Sequence, residues 1–558
     1  MAIGPTPRWM SLLLAAALLT VAVLPLIPPA LPASPSGPGE FSVDAARAHI
    51  GRMATEPRPI GSAANRTVRA VLVDQLEQLG LDPEIQSLTV PDYFAGGRGT
   101  VEVVNVMARI PGSDPTGAVA VVGHYDTSTD TPGANDNTSA LAVMLESARA
   151  ILAGEPPRND VMLLFTDGEE PAPRYGSNGF LDDHPWASEI DVIVNLEALG
   201  GAGPSMVTAT GGPEGWLVDA YAASPHPVAF SYLTSVERLI PGPKTDFTVF
   251  RERGTNGLEL AYLHDSPIYH TPQDSPDRVS PRSLFHHGVS TLALMRHLGE
   301  ADLTGLPEPS QAVYFTIGPN VVIRYSQTIS LAAVVLGGLV LAVAAFRRRD
   351  GGLSIRATAK GVALTLVVMP AAVVFGSLAW MGFAAVWPAP GLVHSYIGLA
   401  GILAAVGLAV VWLRRRFEGT ARAGLGVGIV LTWWACGLAL ALTVPGMSYL
   451  FVWPSLVAAA YLAAGPDART VAAQRLAWSI AVAGVALVVM VPAIDTFFVF
   501  AQPRPGNTGS QLLPLAGVST GLASLVAVLI GVVRAGPAEE TIAADLPVTD
   551  RQVSRAGV

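Results

Sequence analysis

Over the first 305 residues the apolar positions change period repeatedly, whereas from about residue 328 they merge into long uninterrupted runs. Apolar residues three and four apart predict helices over 63–79, 138–154 and 282–298. Short β-branched runs predict strands over 101–109, 118–124, 160–166, 191–196 and 257–263. Strands alternating with helices predict an α/β fold with a mixed, largely parallel central sheet flanked by helices. Folds of this kind place their active sites at the carboxyl ends of the strands.

The later runs, 328–346, 361–384, 395–413, 423–443, 447–464, 475–494 and 512–533, are long enough to cross a bilayer and predict an all-α polytopic membrane domain. An eighth apolar run, 10–28, reads as an N-terminal anchor or as a signal peptide. The expected organisation is therefore an anchor over 1–33, a Pro/Gly/Ser linker over 34–41, and a catalytic domain over 42–305. A connector over 306–327, a seven-span domain over 328–533 and a cytoplasmic tail over 534–558 follow. Arg8, Arg347–Arg349, Arg414–Arg416, and Arg469 with Arg475 fall on alternate connections. By the positive-inside rule both termini are then cytoplasmic and the 40–320 region is outside.

Charge divides along the same boundary. Of 34 Lys+Arg and 44 Asp+Glu, residues 1–305 hold 18 and 35. Nine of the ten histidines also lie there, so ionisable chemistry belongs to an acidic front part, which argues against nucleic acid as a partner. Cys436 is the only cysteine and sits in an apolar run, so any metal must be held by His and carboxylate. Lysine occurs only at 244 and 360, a usage expected of a GC-rich bacterial genome and hence of a bacterial cell membrane.

Four stretches end predicted strands or follow them with groups that bind metals. Val121-Val-Gly-His-Tyr-Asp-Thr presents His124 at a strand tip with Asp126 two residues on, placed to orient the ring, and Asp136 follows in a turn-rich loop before a helix. Val161-Met-Leu-Leu-Phe-Thr-Asp-Gly-Glu-Glu runs from a buried strand into Asp167, Glu169 and Glu170. Read alone it is a solvated acidic loop, or a site where Glu170 binds metal and Glu169 acts as general base. Asp191-Val-Ile-Val-Asn-Leu-Glu ends in Glu197, and Ser266-Pro-Ile-Tyr-His-Thr-Pro-Gln-Asp contains His270. Together these supply two His and three carboxylates, a ligand set for two Zn2+ ions with one bridging carboxylate, plus a spare Glu.

The stretches GHYDT, PGANDNTSA, DGEE, NLEA and YHTPQD, in this order, resemble the zinc aminopeptidase and glutamate carboxypeptidase family. RPIGSAANRTVRAVLVDQLEQLG resembles its N-terminal helix entry, and the added spans resemble the membrane-bound branch, which includes endoplasmic reticulum metallopeptidase and vacuolar membrane protease. The resemblance covers roughly residues 40–300. It implies that His124 and Glu197 bind one zinc, that Glu170 and His270 bind the other, and that Asp136 bridges them, with a cis Asp136–Asn137 peptide allowed. It further implies Glu169 as general base, Asp126 as support for His124, and Tyr269 as a stabiliser of the oxyanion. Glu197 departs from the Asp of many soluble aminopeptidases and puts recognition of a free α-amine in question.

The expected activity is hydrolysis of peptides by an aminopeptidase-type exopeptidase on the outer membrane face, with peptide and membrane lipid as partners and a homo-oligomer as an option. The alternatives are a carboxypeptidase, a glutaminyl-cyclase-like reaction on the same scaffold, or a silent binding module attached to a transporter. His286 and His287 read as surface or helix-packing residues, His264-Asp265 as a loop pair, and Thr245 and Asp246 as caps of a helix that follows Lys244. Asp495 reads as an interfacial group near the outer end of its span.

Overall fold

The computed structural model describes residues 8–34, 36–171, 173–239, 245–349, 353–386, 397–402, 404, 408, 422–464 and 472–502. Helix α1 (Arg8–Val23) is followed by α2 (Val43–Met53) and α3 (Ala63–Gln78). The last two start where sequence chemistry supplies a cap: the Ser42 and Ser62 hydroxyls accept from the Ala45 and Asn65 amides. Strands β1 (Glu84–Pro91), β2 (Thr100–Ile110) and β3 (Ala118–His124) come next, then α4 (Ala140–Leu152), β4 (Asp160–Thr166) and α5 (Tyr175–Asp183). The domain continues through β5 (Ile190–Ala198), β6 (Met206–Gly211), α6 (Glu214–Ala222), α7 (Ser231–Leu239), α8 (Asp246–Glu252), β7 (Asn256–Tyr262) and α9 (Pro281–Glu300).

The seven strands form one mixed sheet in the order β1-β2-β4-β3-β5-β7-β6. Its centre, β4-β3-β5-β7, is parallel, and β1, β2 and β6 are antiparallel to their neighbours. Every residue of β3 is buried, as a parallel strand covered on both faces requires. Val119 and Val121 face the core packed by α4 and α9, while Ala118, Ala120 and Val122 face Phe180 of α5 and Phe247 and Phe250 of α8. The parallel centre brings the ends of β3, β4, β5 and β7 to one edge, with His124 opposite Thr166 and Glu197 opposite Ala261.

A hairpin of β8 (Ala312–Ile317) and β9 (Val321–Ser326) leads into α10 (Gln327–Arg348) and α11 (Ile355–Val386), followed by α12 (Arg422–Thr443), α13 (Pro445–Ala464) and α14 (Ala472–Ala501). Each of these five contains a stretch long and apolar enough to cross a membrane. α11 and α12 approach through Gly428, where an added Cβ would lie 2.2 Å from the Thr358 carbonyl oxygen, a contact that only a missing side chain permits. Helices α11 and α14 outrun the apolar runs 361–384 and 475–494 and carry Pro370 and Pro492 inside them. Most of 395–413 and all of 512–533 lie outside the described residues. The 10–28 run is a 16-residue helix and a 3-10 turn over Leu24–Leu26, shorter than the roughly 20 residues of a full crossing.

The sheet domain is more than tethered to these helices. Phe230, Tyr232, Leu263, Val313 and Phe315 share one apolar cluster with Tyr449 of α13 and Phe498 of α14. The Phe315 and Tyr449 rings stack at 4.6 Å between centroids.

Candidate metal centre

The edge at the carboxyl ends of the parallel strands gathers the chain's densest set of His and carboxylate groups. His124 ends β3. Its Nε2 lies 3.3 Å from Asp136 Oδ1, 3.7 Å from Glu197 Oε2 and 4.0 Å from Glu169 Oε2. His270 Nε2 lies 3.1 Å from Asp136 Oδ2 and 3.2 Å from Glu170 Oε2. Two triads suited to a metal ion result, His124–Asp136–Glu197 and Asp136–Glu170–His270, and they share Asp136. Seven of the residues singled out from sequence thus meet in one place. The eighth, Tyr269, lies alongside, stacked on the His270 ring at 3.8 Å.

Asp136 sits in a distorted turn over Ala134–Ser139 that precedes α4, and the Asp136–Asn137 peptide is cis. Three partners hold this turn. Asp274 accepts from the Asn135 and Asp136 amides at 2.8 and 3.0 Å. Asn137 Nδ2 donates to the Leu196 carbonyl and to Glu197 Oε2. Arg58, fully buried, donates to the carbonyls of Tyr125, Pro132 and Gly133 and to Thr138 Oγ1. Burial lowers the Arg58 guanidinium to about 10, against the pull of Asp126, Asp274, Asp136 and Glu170.

Asp126 faces His124 Nδ1 through two groups, its backbone carbonyl at 3.1 Å and its carboxylate at 3.5 Å. That carboxylate also accepts from the Glu169 and Glu170 amides at 3.1 Å each, so it holds the acidic turn after β4. These two amides need an acceptor away from water, and Asp126 supplies it, which fixes where both side chains leave the backbone. Asp167 turns away from the edge, accepting from Asn65 Nδ2 and the Val104 amide. Burial, with Asp126 nearby, pushes its carboxyl up to about 7.

The donor set fits metal ions. A neutral His124 would donate from Nδ1 to the Asp126 carbonyl and offer its Nε2 lone pair to an ion; without one, and against its burial, hydrogen bonds to Asp126, Asp136 and Glu197 hold the ring's pKa well above the ordinary value. Buried Glu170 Oε1 has no hydrogen-bond partner among the described residues, and Asp136 Oδ2 faces His270 Nε2. Burial drives the Glu169 carboxyl well above the carboxylate range and that of Glu197 to about 7. Asp136 is held below its ordinary value because hydrogen bonds from His124 and His270 overcome its burial. A dication between these groups relieves each of these conflicts.

Several neighbours carried no signal that set them apart in sequence. Asn195 Nδ2 reaches both Glu197 and Glu259, and Thr208 and Thr245 hydroxyls bond the Glu259 carboxylate. Asp246 bonds the Thr166 hydroxyl at 2.5 Å. Thr245 and Asp246 are therefore turned into this network, and the Thr245 side chain makes no cap bond to α8. Arg174, in the left-handed region at φ 47°, brings its guanidinium to 3.4 Å from Glu169 Oε1. His286 and His287 lie away from the edge, buried against Ser205.

Fold and site define an α/β domain with a His/carboxylate metal centre at its strand ends. Residues 105–295 match the sequence model of Peptidase family M28. Endoplasmic reticulum metallopeptidase 1 of Rattus norvegicus is 34% identical over 285 residues, 48% of this chain and 32% of that protein. Vacuolar membrane protease of Candida albicans is 30% identical over 239 residues, 42% of this chain and 28% of that protein. The chain thus spans about a third of the length of these relatives. Among solved structures, a glutaminyl cyclase of Porphyromonas gingivalis aligns with 46% of this chain and 98% of its own at 19% identity and a TM-score of 0.37. BSAP, a zinc aminopeptidase of Bacillus subtilis, aligns with 46% and 94% at 18% identity and a TM-score of 0.36.

Proposed function

We propose that the chain is a membrane-anchored two-zinc exopeptidase of aminopeptidase type. The observation that carries this reading is that Asp136 belongs to both metal-suited triads. His124 and Glu197 would hold one ion and Glu170 and His270 the other, with Asp136 shared by both sets. Ions held there supply Lewis-acid polarisation of the scissile carbonyl and a water acidified toward neutrality.

Glu169 belongs to neither triad, and unlike Asp126 it stands on the Nε2 side of His124. It is buried 4.0 Å from His124 and reaches the same space. Its role is to take the proton of the attacking water and return it to the leaving amine. Burial pushes its carboxyl well above the ordinary carboxylate range. Tyr269, packed on His270, would direct its hydroxyl to the tetrahedral oxygen. Asp126 positions Glu169 and Glu170 through their amides. The alternating arginines support an outward-facing domain with both termini cytoplasmic.

The test is Glu169→Gln in the full-length protein. Hydrolysis of a peptide library falls by 10²-fold or more, the order expected for a lost general base, while zinc content stays at the wild-type level. Turnover equal to wild type sinks the assignment. The termini of the wild-type products separate removal of N-terminal residues from removal of C-terminal ones.

A further inference from the structure

The loop that carries His270 runs from the end of β7 to α9 and has to hold an exposed ligand in place. The His270 side chain is 38% exposed, against 4% for its partner Glu170. Two non-glycine residues of the loop, Asp265 at φ 58° and His270 at φ 56°, occupy the left-handed region, which such residues adopt only when their surroundings enforce it. Within the domain the loop is fastened at Asp274, through the Asn135 and Asp136 amides, and at Asp265, through Arg278 at 2.7 Å.

The His264 backbone pairs with Ala202 through two hydrogen bonds, at 2.8 and 2.9 Å, and the His264 and Ser266 side chains are held by a membrane helix. His264 Nε2 lies 2.9 Å from Asp495 of α14. Ser266 Oγ donates to the Val499 carbonyl of α14 at 2.9 Å and lies 3.3 Å from Gln502 Oε1. Ser266 and Gln502 are buried and both members of the His264–Asp495 pair are largely so. A buried carboxylate in an apolar helix needs a partner of this kind. Asp495 lies five residues before Phe500, the end of the apolar stretch, so the pair sits about 7 Å in from that end at 1.5 Å per residue. The turn Ser266–Ile268 then delivers Tyr269 and His270 directly.

We propose that Asp495 and Ser266 form a clasp through which α14 positions His270, so that this membrane helix sets one of the two metal positions and leaves the other alone. Asp495 is a positioning residue: it acts on His264 and the loop, and touches no atom of the centre. The asymmetry follows from connectivity. His270 is the ligand on the clasped loop, whereas His124 and Glu197 end strands β3 and β5 inside the sheet. The inference rests on the two-zinc reading and extends it to the membrane part.

The experiment measures stepwise zinc affinity of the full-length protein in detergent by competition with a chromophoric chelator. His270→Ala and His124→Ala assign the two steps. Asp495→Leu weakens the His270 step by roughly tenfold or more, the usual effect of removing a group that orients a metal ligand from behind, and leaves the His124 step unchanged. Asp495→Asn, whose amide oxygen still accepts from His264, recovers most of the loss. Unchanged affinity at both steps, or equal weakening of both, overturns the proposal, since a purely structural loss has no reason to choose one step. Ser266→Ala, which deletes a single hydrogen bond, gives the same selective pattern with smaller amplitude and serves if Asp495→Leu does not fold. A non-selective result there is equally fatal. A wild-type protein that binds fewer than two zinc ions fells the two-zinc reading itself, and is told apart from failure of the clasp by the wild-type titration alone.

Discussion

Replacing Arg58 by Met keeps the buried stem and removes the guanidinium that ties Tyr125 to the turn carrying Asp136. Gly133 O retains the Thr138 amide and hydroxyl as donors, so its loss is small. The buried Tyr125 carbonyl loses the Arg58 Nε donor and the part-buried Pro132 carbonyl loses the Nη1 donor. A buried acceptor left without a donor costs about 1–3 kcal/mol and a part-buried one less, together roughly 2–5 kcal/mol. For a domain of this size that is a fall in Tm of about 5–20 °C. Arg58→Lys keeps the charge but offers one ammonium in place of a planar fork, and is expected to lose about half as much. The assay is thermal unfolding of the purified protein with zinc in excess, accompanied by zinc titration. Because Asp136 rides on this turn, zinc affinity falls with Tm. The removed positive charge works in the opposite direction, so a drop in affinity reports geometry. An Arg58→Met protein that melts within about 2 °C of wild type, below the range just derived, refutes the clamp.

Acid stability and backbone packing provide two further checks. His286 accepts the Ser205 amide at Nδ1 and faces the His226 carbonyl through Nε2, so the ring is buried neutral and its pKa falls to about 4 through burial. The unfolded chain binds the extra proton below about 6.5, so stability falls as pH drops from 6.5 to about 4, by about 3 kcal/mol in total. His286→Gln is expected to flatten that slope in Tm against pH, and an unchanged slope refutes the assignment. At Gly176, an added Cβ would lie 2.2 Å from the Asp167 carbonyl oxygen and 2.5 Å from Asn105 Oδ1. Gly176→Ala therefore displaces the acidic turn and costs about 1–3 kcal/mol. A Tm and zinc affinity equal to wild type contradict that close approach.

The parallel centre of the sheet was legible because both faces are covered, which turns β3, β4, β5 and β7 into continuous apolar runs with bounds within two residues of those observed. β1 was not: its exposed and half-buried residues alternate at an edge, with no apolar run to mark it. β6 and the hairpin β8–β9 are short, and their partners are fixed by tertiary packing. The His and acidic residues of the centre stood out because they end strands, where backbone polarity and side-chain charge meet. Arg58 and Asp274 did not, since their roles depend on residues 75 and 139 positions away that no local pattern links to them, and Glu259 did not because its partners Asn195, Thr208 and Thr245 come from three different parts of the chain. The pairing of His264 with Asp495 is of the same kind: each half reads blandly alone, one as a loop residue and the other as an interfacial acid.

Charge supports the two-ion reading proposed above. Asp126, Asp136, Glu169, Glu170 and Glu197 crowd the strand ends, and Asp246, Glu259 and Asp274 stand directly behind them. Two guanidiniums, of Arg58 and Arg174, face this group of eight. Burial raises the carboxyls of Glu169, Glu170, Glu197, Asp246, Glu259 and Asp274, so the metal-free site must take up protons or repel itself. One dication would leave the excess largely in place. Two would balance most of it, and the two triads offer each ion a histidine and a carboxylate of its own, with Asp136 between them. The price of that arrangement is that each ligand loop must be held against the repulsion before metal arrives. Arg58, Asp274 and the contacts from α14 do that for the two loops the sheet itself does not fix.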